Sequence, residues 1–244
     1  MREYLKEAPD TAFIYGAIYA GDNTRRGVVQ EWNKQTGKKK AHQQKREIDF
    51  LSHLRGEVIQ GMSPVMLEHM MVRWICWDVD QKIDAKVFCS KLWVYDQSLF
   101  PFKSLNGRWH VYKFFDDWTD VKEAKKIAKN IERELLDRGY DVDKTHTLPT
   151  GYSSESPGSW IILPYANDEN VCYSPKGNPL NISQFIFRYK MRTHPLIAGA
   201  VGMQEQQGGR PKVMWNACLD MHHNKVDTTP EELNFNLGKS LSEN

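Results

Sequence analysis

The chain has 244 residues, of which 40% are apolar, 11% aromatic and 26% charged, and its formal net charge is +2. This composition predicts a globular protein with a full hydrophobic core and excludes a polycation. The longest apolar stretches, 11–19 and 159–165, are far shorter than the roughly 20 residues of a membrane-spanning helix. We therefore expect a cytoplasmic protein with no membrane partner.

The predicted elements are both strands and helices. Four segments rich in aromatic or β-branched residues are predicted strands: 12–19, 72–80, 109–115 and 159–165. The clearest helix is predicted at 120–138, where an apolar stripe runs along one face. The stripe consists of Val121, Ala124, Ala128, Ile131 and Leu135. Thr119 is positioned to cap this helix, and Gly139 stands where helices commonly stop. Shorter helices are predicted at 181–191 and 231–238.

A basic segment covers residues 25–46 and carries eight Lys or Arg against one Glu. A solvated loop explains such a cluster. A contact with a nucleic-acid backbone explains it equally well, because clustered cations gain affinity by releasing counterions.

The cysteines indicate a reducing environment. They stand at positions 76, 89, 172 and 218 and form no CxxC pair, so we expect reduced thiols, mostly in the core. We expect no zinc, because Cys218 with His222 and His223 lacks a second cysteine pair.

The stretch WICWDVDQ (74–81) carries two carboxylates on an otherwise apolar strand. Side chains alternate along a strand, so Asp78 and Asp80 share one face, with roughly 6 to 7 Å between their Cα atoms. Like charges this close repel, and a hard divalent ion such as Mg²⁺ or Mn²⁺ removes that penalty. A strand that ends in solvent explains the same pair without a metal.

A second constellation is SLNGRWHVYKFF (104–115), a small polar turn followed by a strand. The turn contains Asn106 and Gly107, and its backbone N–H groups suit phosphate oxygens. His110 begins the strand and has an imidazole that can donate to a triphosphate. A purely structural histidine is the alternative.

A third acidic stretch, YDVDKTHTLP (140–149), follows the long helix. Asp141 and Asp143 are one alternation apart and both fit the geometry of a third carboxylate. Asp141 is favoured for its apolar neighbours. Lys144 and His146 add cations beside them, and a polar loop after a helix is the alternative.

These motifs resemble those of the archaeo-eukaryotic primase superfamily, in particular the primase-polymerases of phages and plasmids. The matching features are the apolar run with D-x-D, the polar turn followed by histidine, and the third, apolar-flanked aspartate. Asp78 and His110 are 32 residues apart, and His110 and Asp141 are 31 apart, so three neighbouring strands can each supply one functional end.

The resemblance covers roughly residues 70–190 and includes a fourth segment, PGSWIILPYAN (157–167), which is similar to one in many phage members. The chain departs from the family before the histidine. Members often carry Ser-Gly there, where this chain has Asn106-Gly107-Arg108.

The resemblance implies a DNA primase or DNA polymerase that adds dNTPs or NTPs on single-stranded DNA. It also implies de novo initiation in phage or plasmid replication in a bacterial or archaeal host. Asp78, Asp80 and Asp141 are the implied catalytic carboxylates of a two-metal Mg²⁺ or Mn²⁺ site, with Asp143 as a further candidate ligand. The implied nucleotide-binding residues are His110, Asn106, Gly107, Arg108 and Lys144.

The implied fold is α+β, with an RRM-like mixed or antiparallel sheet flanked by helices. We expect a catalytic domain at 1–204 and a helical accessory segment or linker at 205–244. The chain contains no GxxxxGK[ST] phosphate loop, so a helicase is expected only as a further domain or a partner protein. Candidate template contacts are the basic segment, Trp32 and Trp118.

Two other classes of protein fit the same residues. A metal-dependent nuclease would use the same aspartates, with a Glu-x-Lys or a histidine base. A non-catalytic single-stranded DNA-binding replication module would need no catalytic carboxylate at all.

Overall fold

The structure, a computed structural model, describes residues 9–32 and 39–192, without the side chains of residues 31, 32 and 39. The chain divides into two compact units, Met1–Lys190 and Met191–Asn244. Nearly all described residues belong to the first unit. The predicted boundary at 204/205, the predicted helix at 231–238 and the accessory segment 205–244 lie outside the described residues.

The fold is mixed α+β, as predicted. In chain order the elements are α1 (Pro9–Ile18), β1 (Arg26–Trp32), β2 (Lys39–Gln44), α2 (Phe50–Leu54), β3 (Ile59–Met62), β4 (Met71–Val79), α3 (Ala85–Tyr95), β5 (Leu99–Lys103), β6 (Trp109–Asp120), α4 (Val121–Asp137), β7 (Ile161–Ile162) and α5 (Ile182–Met191). The strands form two antiparallel sheets, β2-β1-β3-β7 and β4-β6-β5. Within the described ranges, no helix combines the length and the apolar character needed to cross a membrane.

Strand β4 is buried on both faces, which explains its nearly continuous apolar sequence. Trp74 and Cys76 pack into one core with aromatic residues of β5, β6 and α5. Ile75, Trp77 and Val79 pack into a second core with α3 and the stripe of α4. The predicted alternation along β4 is therefore confirmed, and Asp78 and Asp80 follow Cys76 on the face of the first core.

The segment after α4 adds to the outer edge of β4. Val142 forms an antiparallel bridge with Val79, and Leu148 forms one with Cys76. From β4 onward the chain therefore runs strand, helix, strand, strand, helix, bridged segment, which is the order of the βαββαβ motif. This topology brings the third acidic stretch next to the first.

Two details of the predicted elements are wrong, and one predicted strand is shorter. Residues 12–19 lie mostly in helix α1, because a short apolar run alone does not distinguish a helix from a strand. Pro9 at the first helical position and Asp10 in the first turn favour the helix. Helix α4 is capped by Asp120 instead of Thr119. The predicted strand at 159–165 is reduced to β7.

The basic segment 25–46 contains strands instead of a continuous loop. Its described part forms β1 and β2, which pair as an antiparallel hairpin. In the described part of the chain, Cys76, Cys89 and Cys172 are free and buried, as predicted, while Cys218 lies outside it.

Candidate active site

A cavity of about 520 Å³ opens where β4 and β6 emerge from the first core. Its polar lining includes six residues of the three predicted motifs: Asp78, Asp80, Asn106, Arg108, His110 and Asp143. The structure therefore brings together side chains that are up to 65 residues apart in the sequence (143 − 78 = 65).

The carboxylates at the end of β4, Asp78 and Asp80, each face a basic side chain at the start of β6. Asp78 is the cross-strand partner of His110, and their Oδ1 and Nε2 atoms are 3.8 Å apart. One alternation further out on the same face, Arg108 Nη1 contacts Asp80 Oδ1 at 2.5 Å. These contacts reduce the repulsion between the two aspartates, because each carboxylate has a cationic or potentially cationic neighbour.

The third acidic stretch is held against β4 by backbone hydrogen bonds. The N–H of Asp143 donates to the Asp78 carbonyl at 2.9 Å, and the N–H of Asp80 donates to the Asp141 carbonyl at 2.8 Å. In this antiparallel pairing Asp143 therefore lies opposite Asp78, and Asp141 lies opposite Asp80. Asp143 lines the cavity, whereas Asp141 is exposed and is not among the lining residues.

Asp143 is held ionised by its own neighbours. Hydrogen bonds from the Thr145 hydroxyl and from His146 Nδ1, both at 2.6 Å, together with the Thr145 backbone N–H, lower the pKa of the Asp143 carboxyl to about 2. A carboxylate accepts and does not donate, so Nδ1 of His146 carries the proton in this contact. Asp143 is consequently an anion at neutral pH, the form that binds a metal.

The turn between β5 and β6 is closed by its own hydrogen bonds. The Gly107 N–H donates to the Ser104 carbonyl at 3.0 Å, and the Arg108 N–H donates to Ser104 Oγ at 3.2 Å. Gly107 adopts φ of +75°, a conformation that favours glycine. The Gly107 N–H, one of the two expected to cradle phosphate, is therefore engaged within the turn.

Lys103 supports this turn from the end of β5. Its ammonium group lies 3.6 Å from the centroid of the Trp109 ring and donates to the Gly107 carbonyl at 3.2 Å. Partial burial lowers the pKa of Lys103. On the cavity side of the turn, Asn106 Oδ1 is buried without a hydrogen-bond partner among the described residues. A ligand that donates a hydrogen bond would satisfy this atom.

The donor set suits a hard divalent cation, because Asp78, Asp80 and Asp143 are all carboxylates that line one cavity. Arg108 and His146 contact two of these carboxylates directly. As the side chains stand, the described residues contain no group of three or more His, Cys, Asp or Glu that could hold a metal ion.

The structure separates the predicted residues into two groups. Six residues of the predicted site line the cavity, while Asp141, Gly107 and Lys144 do not. The lining residues that were absent from the predicted site include His146 and Trp160. His146 stands in the third acidic stretch and Trp160 in PGSWIILPYAN, so both could have been found from the motifs themselves.

The candidate template contacts lie in different places. Ala41 of β2 lines the cavity, so the hairpin of β1 and β2 in the basic segment borders the cavity. Trp118 lies near the far end of β6, where Asp120 pairs with Met71 at the start of β4. The side chain of Trp32 is outside the described residues. Neither a scan of protein-family models nor a search of curated proteins gives a match to this chain.

Proposed function

We propose that this protein is a template-directed nucleotidyltransferase, a DNA primase-polymerase that adds dNTPs or NTPs on single-stranded DNA. One observation carries the proposal. Three acidic side chains from two separate stretches line a single cavity, where His110 is the cross-strand neighbour of Asp78 and Arg108 contacts Asp80. Nucleotidyl transfer requires this combination of metal-binding carboxylates and phosphate-binding cations.

Asp78, Asp80 and Asp143 would hold the divalent ions. In such enzymes Mg²⁺ or Mn²⁺ activates the attacking 3′-hydroxyl and neutralises charge on the leaving pyrophosphate. Asp143 replaces Asp141 as the proposed third ligand because it lines the cavity and lies opposite Asp78.

Arg108 and His110 would bind and orient the triphosphate. The Arg108 side chain is 44% exposed, so its guanidinium can exchange the Asp80 carboxylate for phosphate oxygens, which it can bind with two parallel hydrogen bonds. The His110 side chain is 10% exposed, so its imidazole is held in place at the cavity wall. Both residues would act by positioning the reacting phosphate for in-line attack.

The topology is compatible with the proposed family. A βαββαβ order with helices on one face is the arrangement of an RRM-like core, and the bridged segment 141–148 takes the position of its last strand. De novo initiation, a role in phage or plasmid replication and a helicase partner belong to the same proposal and rest on the sequence resemblance.

A metal-dependent nuclease is a second candidate, favoured by one observation. His146 lines the cavity and is oriented by its 2.6 Å contact with Asp143, as a general base often is. A nuclease would use that base to activate water against a phosphodiester.

One assay separates the candidates. The protein is incubated with a single-stranded DNA template, labelled nucleotides and Mg²⁺ or Mn²⁺, and the products are sized. We expect labelled strands complementary to the template, and we expect Asp78→Asn to abolish them. Asp117→Asn, an exposed aspartate outside the cavity, is the matched control. A shortened template would instead indicate a nuclease, and an unchanged template with no product would indicate a binding module.

A further inference from the structure

Trp160 packs on the sheet β2-β1-β3-β7 beside the same cavity, and its ring lies against two glycines. Gly27 of β1 and Gly61 of β3 are direct cross-strand neighbours. A Cβ atom built on Gly27 would stand 2.2 Å from Cε3 of Trp160, and one built on Gly61 would stand 2.5 Å from the same atom. The indole ring therefore rests on the backbone of both strands, and a side chain at either glycine would displace it.

The paired glycines define the orientation of the ring. Glycine weakens a strand interior and often marks a place where another group approaches closely. Here that group is the six-membered ring of Trp160, whose Cε3, Cζ3 and Cδ2 atoms would meet a Cβ on Gly27 at 2.2 to 2.4 Å. Neighbouring Ile161 pairs with Met62, which fixes the backbone of the segment on β3.

Trp160 differs from the tryptophans of the core. Trp74, Trp77 and Trp109 are fully buried, whereas Trp160 keeps intermediate exposure although the glycines cover part of it. Its accessible surface borders the cavity that also contains Arg108 and His110. The protein therefore presents an indole with a fixed orientation to the cavity that contains its candidate phosphate-binding groups.

These two kinds of surface match the two halves of a nucleotide. Cationic side chains bind phosphate, and flat aromatic rings stack on nucleobases through their π-faces. The cavity volume of about 520 Å³ lies within the roughly 300 to 1,000 Å³ typical of small-molecule sites. We propose that Trp160 is the stacking surface for the base of the nucleoside triphosphate whose phosphates contact Arg108 and His110. This inference rests on the proposed nucleotidyl-transfer function, and stacking on a π-face predicts little preference among bases.

The test compares a ligand that has a base with one that lacks it. Binding of dATP and of inorganic tripolyphosphate, each with Mg²⁺, is measured by calorimetry for the wild type, Trp160→Leu and Trp160→Phe. We expect Trp160→Leu to weaken dATP binding by about tenfold or more, because stacking is removed, and to leave tripolyphosphate binding unchanged. Trp160→Phe keeps a ring and should retain most of the dATP affinity. Trp93→Leu, a half-buried tryptophan outside the cavity, is the matched control.

Each outcome has a distinct meaning. Unchanged dATP binding in Trp160→Leu would overturn the stacking role and leave the proposed function intact. An equal loss for both ligands would also overturn it, since Trp160 would then only shape the cavity. A wild type that binds neither dATP nor tripolyphosphate would refute the proposed function itself.

A second variant guards against a folding failure. Gly27→Ala displaces the ring while Trp160 remains present, because the new methyl group would overlap the indole. We expect it to weaken dATP binding and to spare tripolyphosphate binding. Full dATP affinity in a folded Gly27→Ala protein would contradict the proposal that Gly27 positions the Trp160 ring for stacking.

Discussion

Arg108 has two partners in the proposed reaction, the Asp80 carboxylate that it contacts at 2.5 Å and the incoming triphosphate. The Arg108→Ala variant should raise the nucleotide Kd by about tenfold or more, because a charge-assisted hydrogen bond to phosphate is lost. The Arg108→Lys variant should recover only part of the affinity, since Lys keeps the charge but not the planar fork. Calorimetry with dATP and Mg²⁺ measures both, with the exposed Arg133→Ala as control. Equal affinity in all four proteins would rule out this role.

Asp143 and Asp141 provide a matched pair at the residue scale. Both are aspartates in one segment that pairs with β4, but only Asp143 lines the cavity. Asp143→Asn should reduce nucleotide incorporation by at least about 100-fold, as expected for a lost metal ligand, whereas Asp141→Asn should stay within about threefold of the wild type. Steady-state incorporation rates at saturating Mn²⁺ measure this difference. The opposite ranking would restore Asp141 as the third ligand.

Helix α4 tests the capping assignment at the scale of an element. The Asp120 carboxylate accepts hydrogen bonds from the N–H groups of Lys122 and Glu123, which would otherwise lack an intrahelical partner. Asp120→Ala should lower the free energy of unfolding by about 1 kcal/mol, whereas Thr119→Ala should have a smaller effect. Urea unfolding curves measure both changes. A larger loss for Thr119→Ala would reverse the assignment.

The elements that were predicted correctly have a clear period or a strong apolar sequence. The stripe of α4 and the alternation of β4 each follow one repeat, and both are buried as predicted. Strands β1 and β2 were not predicted, because their charged and polar sequences are also compatible with a solvated loop. Helix α1 cannot be distinguished from a strand in the sequence, because it is apolar without a clear helical period.

The candidate site was predictable only in part for a similar reason. Alternation along one strand puts Asp78 and Asp80 on the same face, and the cavity confirms that they do share it. The pairing of β4 with the segment 141–148 is a long-range contact, so no local pattern distinguishes Asp141 from Asp143. The position of the Trp160 ring depends on Gly27 and Gly61, which become neighbours only when β1 pairs with β3.

At the scale of the molecule, His53 couples stability to pH. The ring is fully buried, accepts a hydrogen bond from the Gln60 N–H at Nδ1 and donates from Nε2 to the Pro164 carbonyl. Burial lowers the pKa of His53 from 6.5 to about 4. Above pH 6.5 the ring is neutral in both states. Between pH 6.5 and 4 the unfolded chain binds a proton that the folded chain does not, so stability falls with falling pH.

The expected contribution of His53 is a loss of up to about 3 kcal/mol in unfolding free energy between pH 6.5 and pH 4. Urea unfolding at several pH values measures the slope. His53→Gln should be less stable at pH 7 and should show a slope that is flatter by about one proton over this interval. An identical slope in the variant would mean that another group is responsible.

The metal site proposed for Asp78, Asp80 and Asp143 is tested most directly by counting bound Mn²⁺. The count is made by electron paramagnetic resonance in the presence of a nucleoside triphosphate whose α–β linkage cannot be cleaved. We expect two ions per chain in the wild type and in the control Asp117→Asn, and fewer in Asp78→Asn and in Asp143→Asn. If Asp78→Asn and Asp143→Asn bound Mn²⁺ in the same number and with the same affinity as the wild type, the metal site proposed for these carboxylates would be contradicted.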